Sequence, residues 1–125
     1  MPPVQLAFYR DRQGRVPVLE WLDRLQVHDR RGYAKCLARL AMLRMTGFAL
    51  RRPIADYLRD GVYELRARSG NEQLRILHCF YRSRAVLMHA LTKEDAVPDD
   101  DIERAVTRRN LLERDPDTHI AEDLP

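Results

Sequence analysis

A chain of 125 residues, 45% of them apolar, is long enough for one folded domain and too short for two. No apolar run approaches the roughly 18 residues a membrane-crossing helix needs. The opening Met1-Pro-Pro-Val-Gln-Leu lacks the basic-then-apolar layout of a secretory leader, so a cytoplasmic protein is expected.

The net charge of +3 hides an asymmetry. Residues 30–84 hold thirteen Lys/Arg against four Asp/Glu, whereas residues 94–125 hold four Arg against eleven Asp/Glu. A basic body with an acidic end suggests a surface for a polyanion, and an end able to lie over that surface and compete with its ligand. The alternative is a set of solvated charged helices. Cys36 and Cys79 show neither CxxC nor metal spacing and read as reduced packing thiols.

The first segment, Val4-Gln-Leu-Ala-Phe-Tyr9, alternates and carries β-branched and aromatic residues, as a strand does. A turn at 11–15 precedes Pro17, which suits the first position of a helix whose buried side is Val18, Leu19, Trp21, Leu22 and Leu25. After a break at 26–28, Asp29 can cap a longer helix. There Tyr33, Cys36, Leu37, Leu40 and Leu43 recur at helical spacing, Arg31, Lys35 and Arg39 turn away, and Gly47 ends the run.

Pro53 blocks further helix, and Tyr57-Leu58 leads into a turn at Arg59-Asp60-Gly61. Segments 62–67, 74–81 and 85–91 read as strands joined by connections short enough for antiparallel hairpins. Pro98 and Asp99-Asp-Asp101 open a last helix, with Ile102, Ala105, Val106 and Leu112 inward and Pro116 as its stop. The expected order is β-α-α-β-β-β-α, an α+β domain over residues 1–114 with an acidic, mobile tail at 115–125. Helices should cover one face of an antiparallel meander and leave the other partly open.

Side chains alternate along a strand, so Glu64 and Arg66 share one face. On the next strand Arg75, Leu77, Cys79 and Tyr81 share a side. On the last, Leu87, His89 and Leu91 do so, with Lys93 continuing the row. In an antiparallel meander Arg66, Arg75 and Lys93 could then converge on one cleft suited to a phosphate. The alternative is three surface cations, with Arg66 paired to Glu64 or Glu72. His78 and His89 are candidates for proton transfer, since an imidazole titrates near 6.5. Tyr81 offers a hydroxyl or a surface for stacking a base.

Other chemistries lack their motifs. There is no GxxxxGK[ST] or GxGxxG loop, no zinc spacing, no GxSxG elbow and no RNP aromatic signature. What remains is a site made of cations, with no cofactor and no metal expected.

The chain resembles the RelE/ParE superfamily of bacterial toxins, in its HigB-like, phage-derived branch. The resemblance runs from Pro17-Val-Leu-Glu-Trp-Leu22 through Leu40–Gly47 to Leu58-Arg-Asp-Gly-Val-Tyr-Glu-Leu-Arg66. It continues through Arg75-Ile-Leu-His-Cys-Phe-Tyr81, His89-Ala-Leu-Thr-Lys93 and Pro98-Asp-Asp-Asp-Ile-Glu-Arg-Ala105, covering about residues 4–110.

It implies a RelE-like, microbial-ribonuclease-like fold and the toxin of a type II toxin–antitoxin system. Such a toxin is an mRNA interferase that cleaves mRNA on the ribosome without a metal, through attack of the 2′-hydroxyl on the adjacent phosphate. Its implied partners are mRNA and a cognate antitoxin, a helix-turn-helix protein encoded beside it. By position Arg66, Arg75 and Lys93 would hold the scissile phosphate. An acid or base would come from His89, Tyr81 or Lys93, and Arg68, Arg82, Arg84 and Lys35 would be further RNA contacts.

Two departures stand out. The usual Phe-x-Lys-Lys is Leu91-Thr-Lys-Glu94 here, replacing a cation by an anion, and the spacing to Pro98 is one residue shorter. Both weaken phosphate affinity, so a toxin that only binds its antitoxin, or one that inhibits gyrase by protein binding, stands beside the nuclease. A plain RNA-binding module, with affinity falling steeply in salt, is a third reading.

Overall fold

The structure is a computed structural model that describes residues 3–93 and 96–122; of Lys93 it describes the backbone. Strand β1 (Gln5–Tyr9) leads into α1 (Pro17–His28) and α2 (Arg30–Thr46), followed by a 3₁₀ turn at Gly47–Ala49. Next come β2 (Ala55–Arg59), β3 (Val62–Ser69), β4 (Glu72–Tyr81) and β5 (Arg84–Lys93), then α3 (Asp99–Arg114), α4 (Pro116–His119) and β6 (Ile120–Glu122). The result is an α+β domain with four helices among the described residues and a six-stranded mixed sheet in the order β2-β3-β4-β5-β1-β6.

The helices start and stop where the chain chemistry directs. Pro17 occupies the first turn of α1. Asp29 caps α2, its Oδ1 accepting from the Gly32 amide at 2.9 Å, while its Oδ2 accepts from the Ser69 hydroxyl at 2.7 Å and so ties α2 to β3. A Cβ on Gly32 would lie 2.5 Å from Asp29 Oδ2 and 2.9 Å from a Leu74 methyl, so this close approach admits only glycine. The β2–β3 turn places Asp60 and Gly61 at φ of 52° and 79°, the left-handed pair that a two-residue hairpin matched to strand twist requires.

The sheet departs from the simple meander in four ways. The segment around Tyr57, expected only to lead into a turn, is the edge strand β2. Strand β1 pairs with β5 in parallel, which makes the sheet mixed. Residues 115–122, expected as tail, form α4 and then β6, which pairs antiparallel with β1. Asp115 caps α4 by accepting from the Thr118 amide, and the His119 ring donates from Nδ1 to the Arg10 carbonyl at 2.8 Å while stacking on Tyr9. Burying an imidazole on an aromatic ring is a tertiary contact that local polarity does not reveal.

The fourth departure is that both faces of the sheet are covered. Helices α1 and α2 bury Val18, Leu22, Cys36, Leu40 and Leu43 against Leu6, Phe8, Leu65, Leu74, Ile76 and Leu87. On the opposite face α3 buries Ala105 and Leu112 against Tyr9, Val62, Leu77, Cys79, Val86 and Met88. Each buried leucine-sized side chain contributes on the order of 2 kcal/mol, so α3 is docked on its face, though with fewer buried side chains than the helical pair. The two thiols lie on opposite faces, and burial pushes each up to about 12. Leu37, expected inside, is exposed.

A bulge in β5 changes which residues share a face. Leu77 pairs with His89, but the next residue, His78, pairs with Leu87, leaving Met88 extra. Leu87 therefore enters the α1/α2 core, whereas Met88 joins the α3 side and His89 is bonded to α3. A strict two-residue alternation, which put Leu87 and His89 together, fails at this point.

Candidate functional site

The face covered by α3 has an apolar half and a polar half. Its core reaches Leu91, and Leu91 pairs in register with Arg75, which pairs with Arg66. One row further along, Arg68 pairs with Gln73, which pairs with Lys93. Beyond the core the sheet thus carries Arg66, Arg75 and Arg68 on two adjoining rows, and rigid strands fix them rather than a loop.

Two guanidiniums directly opposed across strands repel each other. Glu64 resolves this from the next row along β3. Its carboxylate, 1% exposed, accepts from Arg75 at 2.9 and 3.1 Å and also accepts a short hydrogen bond from Arg66 Nε. Arg75 is buried in this arrangement, whereas Arg66 keeps about a third of its side chain exposed (31%). The network extends outward through Asp56, 3.5 Å from the Arg66 guanidinium and bonded to Arg52 Nε at 2.8 Å. Beside it a depression of about 210 Å³ is lined by Arg39, Ile54, Arg66, Arg68 and Gln73. Five arginines against two carboxylates leave the neighbourhood cationic.

Of the residues expected in the site, Arg66, Arg75 and the backbone of Lys93 lie on adjoining rows, joined by Arg68. The Lys93 side chain and Glu94, the anion in place of the usual lysine, lie outside the described residues. His89 sits one row away, in the row of Glu64 and Leu77, and is engaged by α3. Its Nε2 is 2.6 Å from Asp101 Oδ1 and its Nδ1 is 3.4 Å from Arg108. An Nε2–H donating to Asp101, with the other nitrogen facing a guanidinium, is the neutral ring. Burial foremost, with Arg108 adding to it against the pull of Asp101, holds the His89 pKa below its ordinary value.

Other candidates fall elsewhere. Tyr81 ends β4, six residues from Arg75 and so about 20 Å away, with the Arg82 guanidinium 5.2 Å from its ring. Arg82 and Arg84 belong to the same β4–β5 turn, and Arg84 pairs with Glu122 at 2.8 Å. Lys35 is exposed on α2. His78 is wholly buried, stacked on Tyr63, and burial lowers its pKa to about 4.

Sequence reasoning offered Glu64 as an ion-pair partner of Arg66 in the reading of three surface cations, and the structure has that pair, but it did not foresee that the same carboxylate holds Arg75. The signal was present: a lone carboxylate two residues before an arginine on a strand shares its face, and the cross-strand arginine must then meet both. Asp56 and Arg52 carried no such signal, because they depend on the edge strand β2.

Among the described residues no helix is long and apolar enough to cross a membrane. No curated protein matches the chain. Residues 20–110, which include both cationic rows and most of α3, match a family described as "Phage derived protein Gp49-like" (DUF891). That match spans well over half of the sequence, and the chain belongs to the Gp49-like family, a RelE-like toxin–antitoxin family.

Proposed function

We propose that the protein is the toxin of a type II toxin–antitoxin pair, in the HigB-like branch and with a RelE-like, microbial-ribonuclease-like fold. In this reading it is a cytoplasmic, ribosome-dependent mRNA endonuclease that needs no metal. The observation that carries it is the Arg66–Arg75 pair fixed by buried Glu64 on the polar half of the sheet, next to Arg68 and the backbone position of Lys93. Family membership implies an antitoxin partner, and we take it to be a helix-turn-helix protein encoded alongside.

The chemistry follows from the cations. A nucleotide's 2′-oxygen attacks the adjacent phosphorus as it loses its proton, and the bond from phosphorus to the 5′-oxygen breaks. That oxygen leaves with a proton, giving a 2′,3′-cyclic phosphate and a 5′-hydroxyl. Arg66, with Arg75 behind it, offsets the charge gathering on the non-bridging oxygens. Arg68 holds a neighbouring phosphate. Lys93 is the nearest position for the group that exchanges protons, because both nitrogens of His89 are engaged and Tyr81 is distant. Expression without an antitoxin should stop growth and yield codon-linked mRNA breaks; intact mRNA during arrest would overturn the nuclease.

A second reading rests on Glu64. Its carboxylate already occupies N–H groups of Arg66 and Arg75 that a phosphate would engage, which favours a toxin of this fold that binds protein, such as gyrase, and cleaves nothing. Purified protein tested on translating ribosomes and in a gyrase supercoiling assay separates the two.

A further inference from the structure

The segment from Arg30 to Ala55 carries seven cations, Arg30, Arg31, Lys35, Arg39, Arg44, Arg51 and Arg52, and no acidic residue. It also carries the exposed Leu37, Met42, Met45 and Phe48, on the outer face of α2 and in the turn after it. Met42, Met45 and Phe48 follow one another at three-residue spacing, and Met45 is 67% exposed. Phe48 packs edge-on against Phe80, their centroids 5.8 Å apart, at the mouth of a cavity of about 270 Å³ lined also by Val4 and Tyr81. Arg82 and Arg84 stand at its rim.

We infer that this face of α2, ending at the Phe48 cavity, docks an acidic amphipathic helix of a protein partner. Exposed methionines suit a helical surface because they repack against varied side chains, and the cavity accepts one large apolar anchor. A surrounding field that is mainly positive, with Asp23 beside Leu37 as an exception, selects a segment of the opposite sign and steers it in. Aliphatic Leu37, Met42 and Met45 give nucleobases little to stack on, so RNA is the poorer occupant. The surface lies on the side of the sheet covered by α1 and α2, whereas the Arg66–Arg75 rows lie on the side of α3; the two meet only at the edge, where Arg39 lines the depression beside Arg66 and Arg52 joins its network through Asp56. An antitoxin is the carrier of that helix if the toxin reading is correct, and only the carrier's identity rests on that reading.

The test uses the full chain and a synthetic 20-residue helix of Glu, Ala and Leu, with leucines at spacings of three and four. The peptide should bind with micromolar affinity that weakens as salt rises. Met45→Glu should weaken it at least tenfold, and so should Leu37→Glu; Val27→Glu, changing an apolar residue 78% exposed on α1, should not. Circular dichroism of each variant guards against unfolding, and a second pair, Met45→Ala and Leu37→Ala, should give smaller losses. Absence of binding, equal losses at Val27, or tighter capture of a uridine oligonucleotide at the same residues would overturn the inference. None of these readings depends on cleavage, so failure of the nuclease leaves them standing.

Discussion

Arg66 and Arg75 lie directly opposite each other on β3 and β4, and one buried carboxylate, that of Glu64, bonds to both. The arrangement converts a repulsive cross-strand pair into a fixed one. Its cost is that Glu64 cannot be removed without stranding a buried guanidinium.

Replacing Glu64 by alanine should therefore cost about 3–5 kcal/mol of folding stability, the usual penalty for breaking a buried ion pair from one side. Glu64→Leu combined with Arg75→Met should recover most of that loss, because neither charge is then left alone. Urea unfolding of the three proteins measures it. A loss below about 1 kcal/mol for the single variant would mean that the pair is not structural.

Arg66 is the member of the pair open to solvent, and its removal should separate function from folding. Arg66→Ala should abolish growth arrest and mRNA breaks while shifting stability by about 1 kcal/mol, since Arg75 still pairs with the buried Glu64 carboxylate and only the partly exposed guanidinium is lost. Arg66→Lys should restore little activity, because an ammonium cannot reproduce the two-pronged guanidinium contact. Toxicity measured beside thermal melting decides it; full toxicity in Arg66→Ala would take this residue out of the chemistry.

Much of this was legible in the chain. Pro17, Asp29, Gly47 and the Asp60-Gly61 pair announced helix starts, a helix end and a turn through local chemistry, and the structure has each of them; that this turn closes a hairpin with an edge strand was not foreseen. Alternation placed Glu64, Arg66 and Arg75 on one face because nothing interrupts β3 or the paired stretch of β4. It failed at Met88, since a bulge is set by packing and has no residue signature here. For α3 helical spacing named the inward residues, and Ile102, Ala105 and Leu112 are buried as expected, but it did not show that they cover the second face of the sheet. Strand β6 was missed, because a polar end looks solvated until His119 is seen against Tyr9.

That last contact leads to a prediction about the C-terminal segment. Deleting residues 116–125 removes buried His119 and the β6 pairing, and it uncovers Tyr9. The truncated chain should lose about 2–4 kcal/mol, in the range for deleting a large buried side chain. It should leave low-salt RNA affinity at the Arg66 rows unchanged, because β6 lies four strands from β3. A stable truncated protein with raised RNA affinity would restore the idea of an acidic segment shielding the basic site.

Acid should destabilise the fold through its buried histidines. His78 has a folded pKa of about 4 against 6.5 when unfolded, so between those values the unfolded chain binds the extra proton. The contribution is complete above pH 6.5, is lost as pH falls toward 4, and is gone below it. Its size is about 3 kcal/mol for a shift of this order. His89, also lowered by burial, acts in the same direction. Urea midpoints at pH 7.5 and 5.0 should therefore differ clearly in the wild type. In His78→Leu the difference should shrink, because the buried site no longer titrates, while the carboxylate pairs that also respond to acid are unchanged. An equal pH dependence in both proteins would show that His78 takes up its proton without opening the packing around Tyr63 and Phe80.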